Sequence, residues 1–289
     1  MNDAIGSKGI RCRFYIFLRA WYIYGVYEWV YIYEFAGNLS SKASTLAADE
    51  DYIGFWREAD YSFLFFRKEK NAFLQSRFPP YRSRLVIRHE DWESGQVLDW
   101  LQLETLTVHP PWKVPPSQNS IPVCIDPGMA FGSGYHASTK GCLVLLEKLF
   151  RQWIPPRVLD LGTGSGILSI ASLKKGASIA FAVDENNLAI ETARKNRRLN
   201  QLEARLHLLR GNVLDFLQIP ADLLLANIHY AVIDRLTDQE SFYEKRYCIV
   251  SGLIGHEGYL IEQKVGKRLR LLDRYEDNFW FSYLFQSET

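Results

Sequence analysis

Paired cysteines, metal-ligand clusters, net charge and uncharged apolar runs are all scarce in this sequence, and each scarcity argues against a class of function. The four cysteines, Cys12, Cys124, Cys142 and Cys248, stand far apart and form no CxxC pair. That argues against a structural zinc and against a disulfide framework, and points to a reducing compartment. The six histidines are equally scattered, without HxH or HExxH, so no metal is expected. Basic and acidic residues nearly cancel, 34 against 33, which leaves bulk electrostatics no argument for nucleic acid or a membrane surface as partner. The one candidate membrane or targeting segment is FYIFLRAWYIYGVYEWVYIYEFA, residues 14–36, and it carries Arg19, Glu28 and Glu34. No uncharged run in it approaches the roughly 20 residues of a spanning helix, and no small-residue cleavage site follows an apolar core. Alternation in Trp29-Val30-Tyr31-Ile32-Tyr33-Glu34-Phe35 reads as a strand instead. The cytoplasm is the expected location. No internal repeat or low-complexity tract is visible.

What is present is an ordinary globular composition, 47% apolar and 14% aromatic over 289 residues, with the aromatics crowded into the first hundred. That length suits one large domain or two modest ones. Four segments are expected: a possible extension over 1–26; a small α+β unit over 27–88; a connecting helix and proline-rich linker over 89–120; and an α/β domain over 121–289. In the α+β unit the pattern predicts a strand from about Tyr27, a helix from Ser44 to Ala59, and strands at Tyr61–Arg67 and Leu85–Arg88. The connecting helix should begin near Glu90-Asp91-Trp92. The five prolines of VHPPWKVPPSQNSIPVC (108–124) read as a boundary or rigid strap, because proline removes a backbone donor and imposes extended geometry. Beyond it, helix Ser138–Gln152 precedes strands Arg157–Leu161, Ile179–Asp184, Ala204–Leu209 and Leu223–Ala226. The intervening helices run to Lys175, from Asn187 to Leu199, and from Ile228 to Leu236. Such alternation predicts a parallel, doubly wound sheet.

Two glycine-rich stretches follow one another closely, DPGMAFGSGYHAST (126–139) and VLDLGTGSGILSIAS (158–172). In the second, Val158-Leu159-Asp160-Leu161 is a buried-strand run entering Gly162-Thr163-Gly164-Ser165-Gly166 and then a helix. Glycines there allow a tight turn and close approach of a ligand. A dinucleotide fingerprint, GxGxxG, needs glycine or alanine where this chain has Ile167. Asp184 ends the next strand, where a carboxylate can accept both ribose hydroxyls of either ligand class. The glycine spacing therefore chooses: GxGxG preceded by Asp160 is similar to the first motif of class I methyltransferases that use S-adenosylmethionine. Asn212, ending the third strand, is a candidate for the adenine edge, with a plain turn residue as the alternative and Asp215 as a second candidate for the role. Asn227, at the exit of the fourth strand, can accept a hydrogen bond from a substrate amine, or can simply cap a helix.

Taken together, DPGMAFGSGYHAST, VLDLGTGSGILSIA, AVDENNLAIETARKN and LLLANI resemble the PrmA family, whose members methylate the eleventh protein of the large ribosomal subunit. The resemblance is continuous from about Cys124 to Asn227. It weakens through Ser251-Gly252-Leu253-Ile254 to Trp280, and backwards to Glu90-Asp91-Trp92. It implies a class I, Rossmann-like methyltransferase fold with a small α+β amino-terminal domain that recognises the ribosomal protein. It also implies that Thr139, Gly162, Asp184 and Asn227 line the S-adenosylmethionine site while the 126–139 loop folds over the cofactor. Gly164, Gly166, Asn212 and Phe131 are counted with them, and Asn227 is the expected catalytic residue. Two departures stand out: Ser133 and Ser138 replace loop threonines but keep the hydroxyl, and His229-Tyr230 follows Asn-Ile where the family often has Leu-Ala.

On this reading a lysine or amino-terminal amine, deprotonated on entering a desolvating pocket, is oriented by Asn227 and backbone carbonyls while water takes the proton. His136 and His229 are weighed as bases, and a bracing or capping role is preferred for each. The alternatives are a methyltransferase for another protein lysine, a catalytically inactive cofactor-binding module, and a dinucleotide oxidoreductase.

Overall fold

The computed structural model describes residues 29–287 except 47, 59, 89–98, 114–119, 127 and 129. The expected extension over 1–26 and the expected helix at Glu90-Asp91-Trp92 lie outside the described residues. Among the described residues no helix is long and apolar enough to cross a membrane.

The first sheet contains β1 (Trp29–Ala36), β2 (Tyr52–Glu58), β3 (Tyr61–Phe66) and β4 (Ser83–Arg88) in the antiparallel order β2-β3-β1-β4. The alternation seen in β1 places Tyr33 and Phe35 on one face, where they pack with Leu64, Phe66, Leu74 and Phe78. Two short helices, α1 (Ser40–Ala43) and α2 (Asn71–Arg77), lie over that face. Among the described residues the expected helix over Ser44–Ala59 does not form. Only Ser44–Leu46 makes a single 3₁₀ turn, and Tyr52–Glu58 becomes β2, paired with β3 through Phe55–Leu64 and Trp56–Phe63. Its aromatic and β-branched residues favour a half-buried pleated surface, and the waiting edge of β3 decides the matter.

The segment read as a proline strap holds strand structure at both ends. β5 (Leu101–Gln102), β6 (Leu106–His109) and β7 (Ile121–Cys124) form a second small sheet in which Pro122 lies inside β7 opposite Thr107. β7 is an edge strand, the place where a sheet tolerates a missing N–H. Leu106, Val108, Val123 and Ile125 are buried in the same core as the main sheet.

That main sheet has the order β10-β9-β8-β11-β12-β14-β13, with β8 (Arg157–Leu161), β9 (Ile179–Asp184), β10 (Leu206–Arg210), β11 (Leu223–Asn227), β12 (Tyr247–Ile254), β13 (Arg270–Asp277) and β14 (Trp280–Gln286). Five strands are parallel, but β14 enters antiparallel between β12 and β13, so the sheet is mixed rather than wholly parallel. Successive residues of each strand face opposite cores. Val158, Leu223, Leu225 and Ile249 meet α3 (Ala137–Gln152) and α4 (Ile167–Lys174) on one side. Leu159, Leu224, Ala226 and Val250 meet α6 (Tyr230–Leu236), α7 (Glu240–Tyr243) and α8 (His256–Val265) on the other. The remaining helix, α5 (Asn187–Leu199), follows β9 and begins three residues after Asp184. The carboxyl ends of β8, β9 and β11 thus open in one direction, as doubly wound sheets arrange their ligand crevices.

Candidate active site

At those strand ends lies a cavity of about 670 Å³, walled in part by Phe131, Thr139, Gly162, Gly164, Asp184, Asn212 and Asn227. Such a volume suits a cofactor-sized ligand. Its floor is the turn after β8. Gly164 has φ of +55°, and a Cβ there would stand 2.4 Å from the carbonyl oxygen of Phe131. Glycine at this position is demanded twice, by the left-handed backbone and by the close approach of the other loop. The Phe131 carbonyl also accepts the N–H of Ser165 at 2.9 Å. Loop 126–136 therefore lies directly on the glycine turn. Gly166 does not line the cavity; it precedes α4 and faces Ala193 of α5, the Cβ it lacks falling 3.2 Å from that of Ala193.

Below the turn Asp160 is buried and accepts the hydroxyls of Thr163 and Ser169, each at 2.7 Å. Burial pushes its carboxyl up to about 6, against the pull of those two bonds. Asp184 is also raised by burial, opposed by the backbone N–H groups it accepts from Asn186 at 2.9 Å and Gly164 at 3.0 Å. Each of its oxygens accepts one of these and keeps capacity for a further donor, as ribose hydroxyls require. Asn212 lines the cavity, but its Oδ1 accepts Leu214 N–H at 3.0 Å and caps a 3₁₀ turn. Asp215, the second candidate for that role, lies in this turn and does not line the cavity.

The fourth strand exit differs. Asn227 does not cap α6; His229 does, its Nδ1 accepting Ala231 N–H at 3.2 Å. The amide of Asn227 is instead turned by Thr139, whose hydroxyl oxygen accepts Nδ2–H at 3.1 Å. Thr139 is 0% exposed in the first turn of α3. That leaves Oδ1 of Asn227 buried without a partner among the described residues. An unpaired buried acceptor carries a cost of about 1–3 kcal/mol, which a ligand N–H would relieve. The helix that holds Thr139 starts at His136, whose Nδ1 accepts Ser138 N–H at 3.3 Å and lies 2.8 Å from the Ser138 hydroxyl. Burial lowers the affinity of His136 for a proton. Both histidines spend the Nδ1 lone pair on a backbone donor, so the neutral ring carries its proton on Nε2. Neither then offers the cavity a free base.

Sequence reasoning missed several wall residues. Trp280 rises from the β13–β14 hairpin with its ring 4.6 Å from that of His136, which in turn lies 5.0 Å from Phe131. Trp56 reaches the wall from β2, the strand mistaken for helix. Val232 and Arg235 follow His229 along α6 at the spacing of one helical face, a periodic signal open to a search focused on that helix.

The arrangement fits S-adenosylmethionine. The cavity offers a glycine floor that a Cβ would obstruct, an acid at the second strand exit and a buried unpaired acceptor at the fourth. The profile of the ribosomal protein L11 methyltransferase (PrmA) family matches residues 42–288. A ribosomal protein L11 methyltransferase of Desulfitobacterium hafniense is 36% identical over 217 residues, 72% of this chain and 69% of that protein. One from Geobacillus kaustophilus is 41% identical over 156 residues, covering 52% of this chain and 49% of its own length. Among solved structures, a ribosomal protein L11 methylase from Lactobacillus delbrueckii subsp. bulgaricus superposes with a TM-score of 0.58 at 26% identity, covering 66% of this chain and all of that one.

Proposed function

The chain belongs to the ribosomal protein L11 methyltransferase (PrmA) family, and we propose that it methylates lysine side-chain or amino-terminal amines of a large-subunit ribosomal protein of the L11 type. It is an S-adenosylmethionine-dependent methyltransferase with a class I fold. The single observation that carries the acceptor assignment is the buried, unpaired Oδ1 of Asn227.

When bound, S-adenosylmethionine supplies an activated methyl group. Gly162 and Gly164 would floor its site, Asp184 would accept hydrogen bonds from its ribose hydroxyls, and Phe131 and Thr139 would line it from the side of the loop and α3. A lysine ammonium, with a reference pKa of about 10.4, has no lone pair to offer. A cavity walled by Ile228, Val232, Trp280 and Phe131 disfavours the charged form and lowers that pKa. Oδ1 of Asn227 accepts one N–H of the neutral amine, and this fixes the direction of its lone pair. Alignment of this kind is the main source of acceleration available to the site. Since neither His136 nor His229 presents a free ring nitrogen, the proton leaves to water. The first sheet, residues 29–88, is the substrate-recognition module in this reading, and a ribosomal substrate accords with the cytoplasmic location expected from the sequence.

The test is incubation of the full chain with methyl-labelled S-adenosylmethionine and separated large-subunit proteins. Label should enter the L11-type protein; label confined to another protein would overturn the substrate assignment and leave the methyltransferase reading standing.

A further inference from the structure

Trp56 enters the cavity wall from a sheet that precedes the catalytic core by a hundred residues, and the way it arrives is specific. The face of the first sheet turned away from α1 and α2 carries Val30, Ile32 and Phe65, which are buried together with Leu188 of α5. Ile53, Trp56, Phe63 and Ile87 pack around that cluster. The approach is so close that a Cβ on Gly54 would stand 2.5 Å from Cδ1 of Leu188. Glycine at 54 therefore lets β2 lie down on α5. Phe63 on the neighbouring strand holds the Trp56 ring at 6.1 Å and 48°.

Leu188 is also fixed from the cavity side. Its N–H is capped by Oδ1 of Asn186 at 2.9 Å, and Asn186 N–H in turn is accepted by Asp184. Asp184, Glu185, Asn186 and Ala189 all line the cavity. Docking on Leu188 thus delivers the indole of Trp56 to the end of the cavity defined by the ribose acid. An indole is a large, flat apolar surface able to stack on a base or cover a sugar edge.

We propose that Trp56 is a cofactor-binding residue, covering the nucleoside end of S-adenosylmethionine, and that docking of the first sheet on α5 and cofactor binding are therefore coupled. The inference rests on the reading of this cavity as the cofactor site. Coupling of this kind is reciprocal: cofactor tightens the docking of the sheet by the factor by which docking tightens the cofactor.

Calorimetric titration of the full chain with S-adenosylmethionine, and with S-adenosylhomocysteine, which carries no transferable methyl, reads the effect without turnover. Trp56→Ala should raise Kd about tenfold for both compounds, the scale of one lost aromatic stack, and Trp56→Phe should stay within about threefold. Gly54→Val, a position that does not line the cavity, should shift Kd in the same direction by forcing β2 off Leu188. That substitution also strains the sheet, so hydrogen exchange gives an independent reading. In the unaltered chain the cofactor should slow amides of β2 and α5 together, and in Trp56→Ala it should slow those of α5 alone. Kd for Trp56→Ala within twofold of the unaltered chain, or β2 exchange indifferent to cofactor, would overturn the inference alone. Failure of the unaltered chain to bind either compound would overturn the reading of the cavity along with it.

Discussion

Loop 126–136 and the turn Gly162–Gly166 meet where Ser165 and Gly164 press against the Phe131 carbonyl, but they reach that meeting by different routes. The turn is set by its flanks: β8 and α4 are buried on both sides, and Asp160 ties Thr163 and Ser169 together beneath it. The described residues of the loop, between β7 and α3, are joined to the turn and to α5 by discrete polar contacts: Ser165 Oγ donates to the Gly132 carbonyl, Lys195 pairs with Asp126, and one amide makes three further bonds. Asn196 of α5, fully buried, donates from Nδ2 to the carbonyls of Asp126 and Ser165, and its Oδ1 accepts Asp126 N–H, all at 2.9 Å. One amide thus joins the root of the loop to the turn. The turn is fixed by the strand and helix that flank it, whereas the loop depends in addition on polar contacts made by residues outside it.

The largest effect is expected at the strand exit that faces both segments across the cavity. Asn227→Ala should lower kcat by on the order of 10² to 10³, the scale of losing a positioned polar group, with cofactor Kd within several-fold. Surviving turnover in steady-state kinetics would remove the amine-orienting role. Gly164→Ala should come next, since it strains a left-handed backbone and drives a Cβ into the Phe131 carbonyl, an atom that cannot step aside. Calorimetry should show cofactor Kd raised about a hundredfold, from roughly 3 kcal/mol of combined strain and displacement. Asn196→Ala removes bonds to both the loop root and the Ser165 carbonyl and should raise Kd about tenfold, with hydrogen exchange rising more in the loop than in the turn, which Asp160 still ties. Equal exposure of both segments would show that they form one unit.

The smallest effect is in acid, where the two segments should respond in opposite senses. Native Asp160 holds its proton up to about 6 whereas the unfolded carboxyl releases it near 3.8. Between those values the native state binds more protons, so stability falls as pH rises. Native His136 binds its proton less readily than the unfolded ring, whose pKa is 6.5. Its contribution is therefore lost as pH falls below about 6.5. Denaturant melts between pH 4 and 7 should show Asp160→Asn removing the first slope and His136→Gln the second.

The core from Arg157 to Asn227 was legible in sequence because its signals are local. Apolar runs of strand length end at Gly162, Asp184 and Asn227, and helices with clear periodicity follow. Asn186 and His229 cap the helices beside these residues, which frees Asp184 and Asn227 for the cavity; sequence alone left Asn227 open to either role. Trp56 was not legible, because residues 44–59 contain both alanine-rich and aromatic stretches, and the edge of β3 decides between helix and strand. The antiparallel entry of β14, which carries Trp280 to the mouth, was equally hidden, since strand order has no local signature. Gly166 fitted the glycine spacing yet serves helix packing against Ala193, a distinction that spacing cannot make.

Phe131 divides its labour between atoms. Its carbonyl is held to the turn by a backbone contact that any residue could make, while the residue as a whole is 46% exposed and lines the cavity. Anchoring and recognition therefore answer to different mutations. A substitution that changes the ring alone should reshape the cavity wall and leave the backbone bond to Ser165 in place.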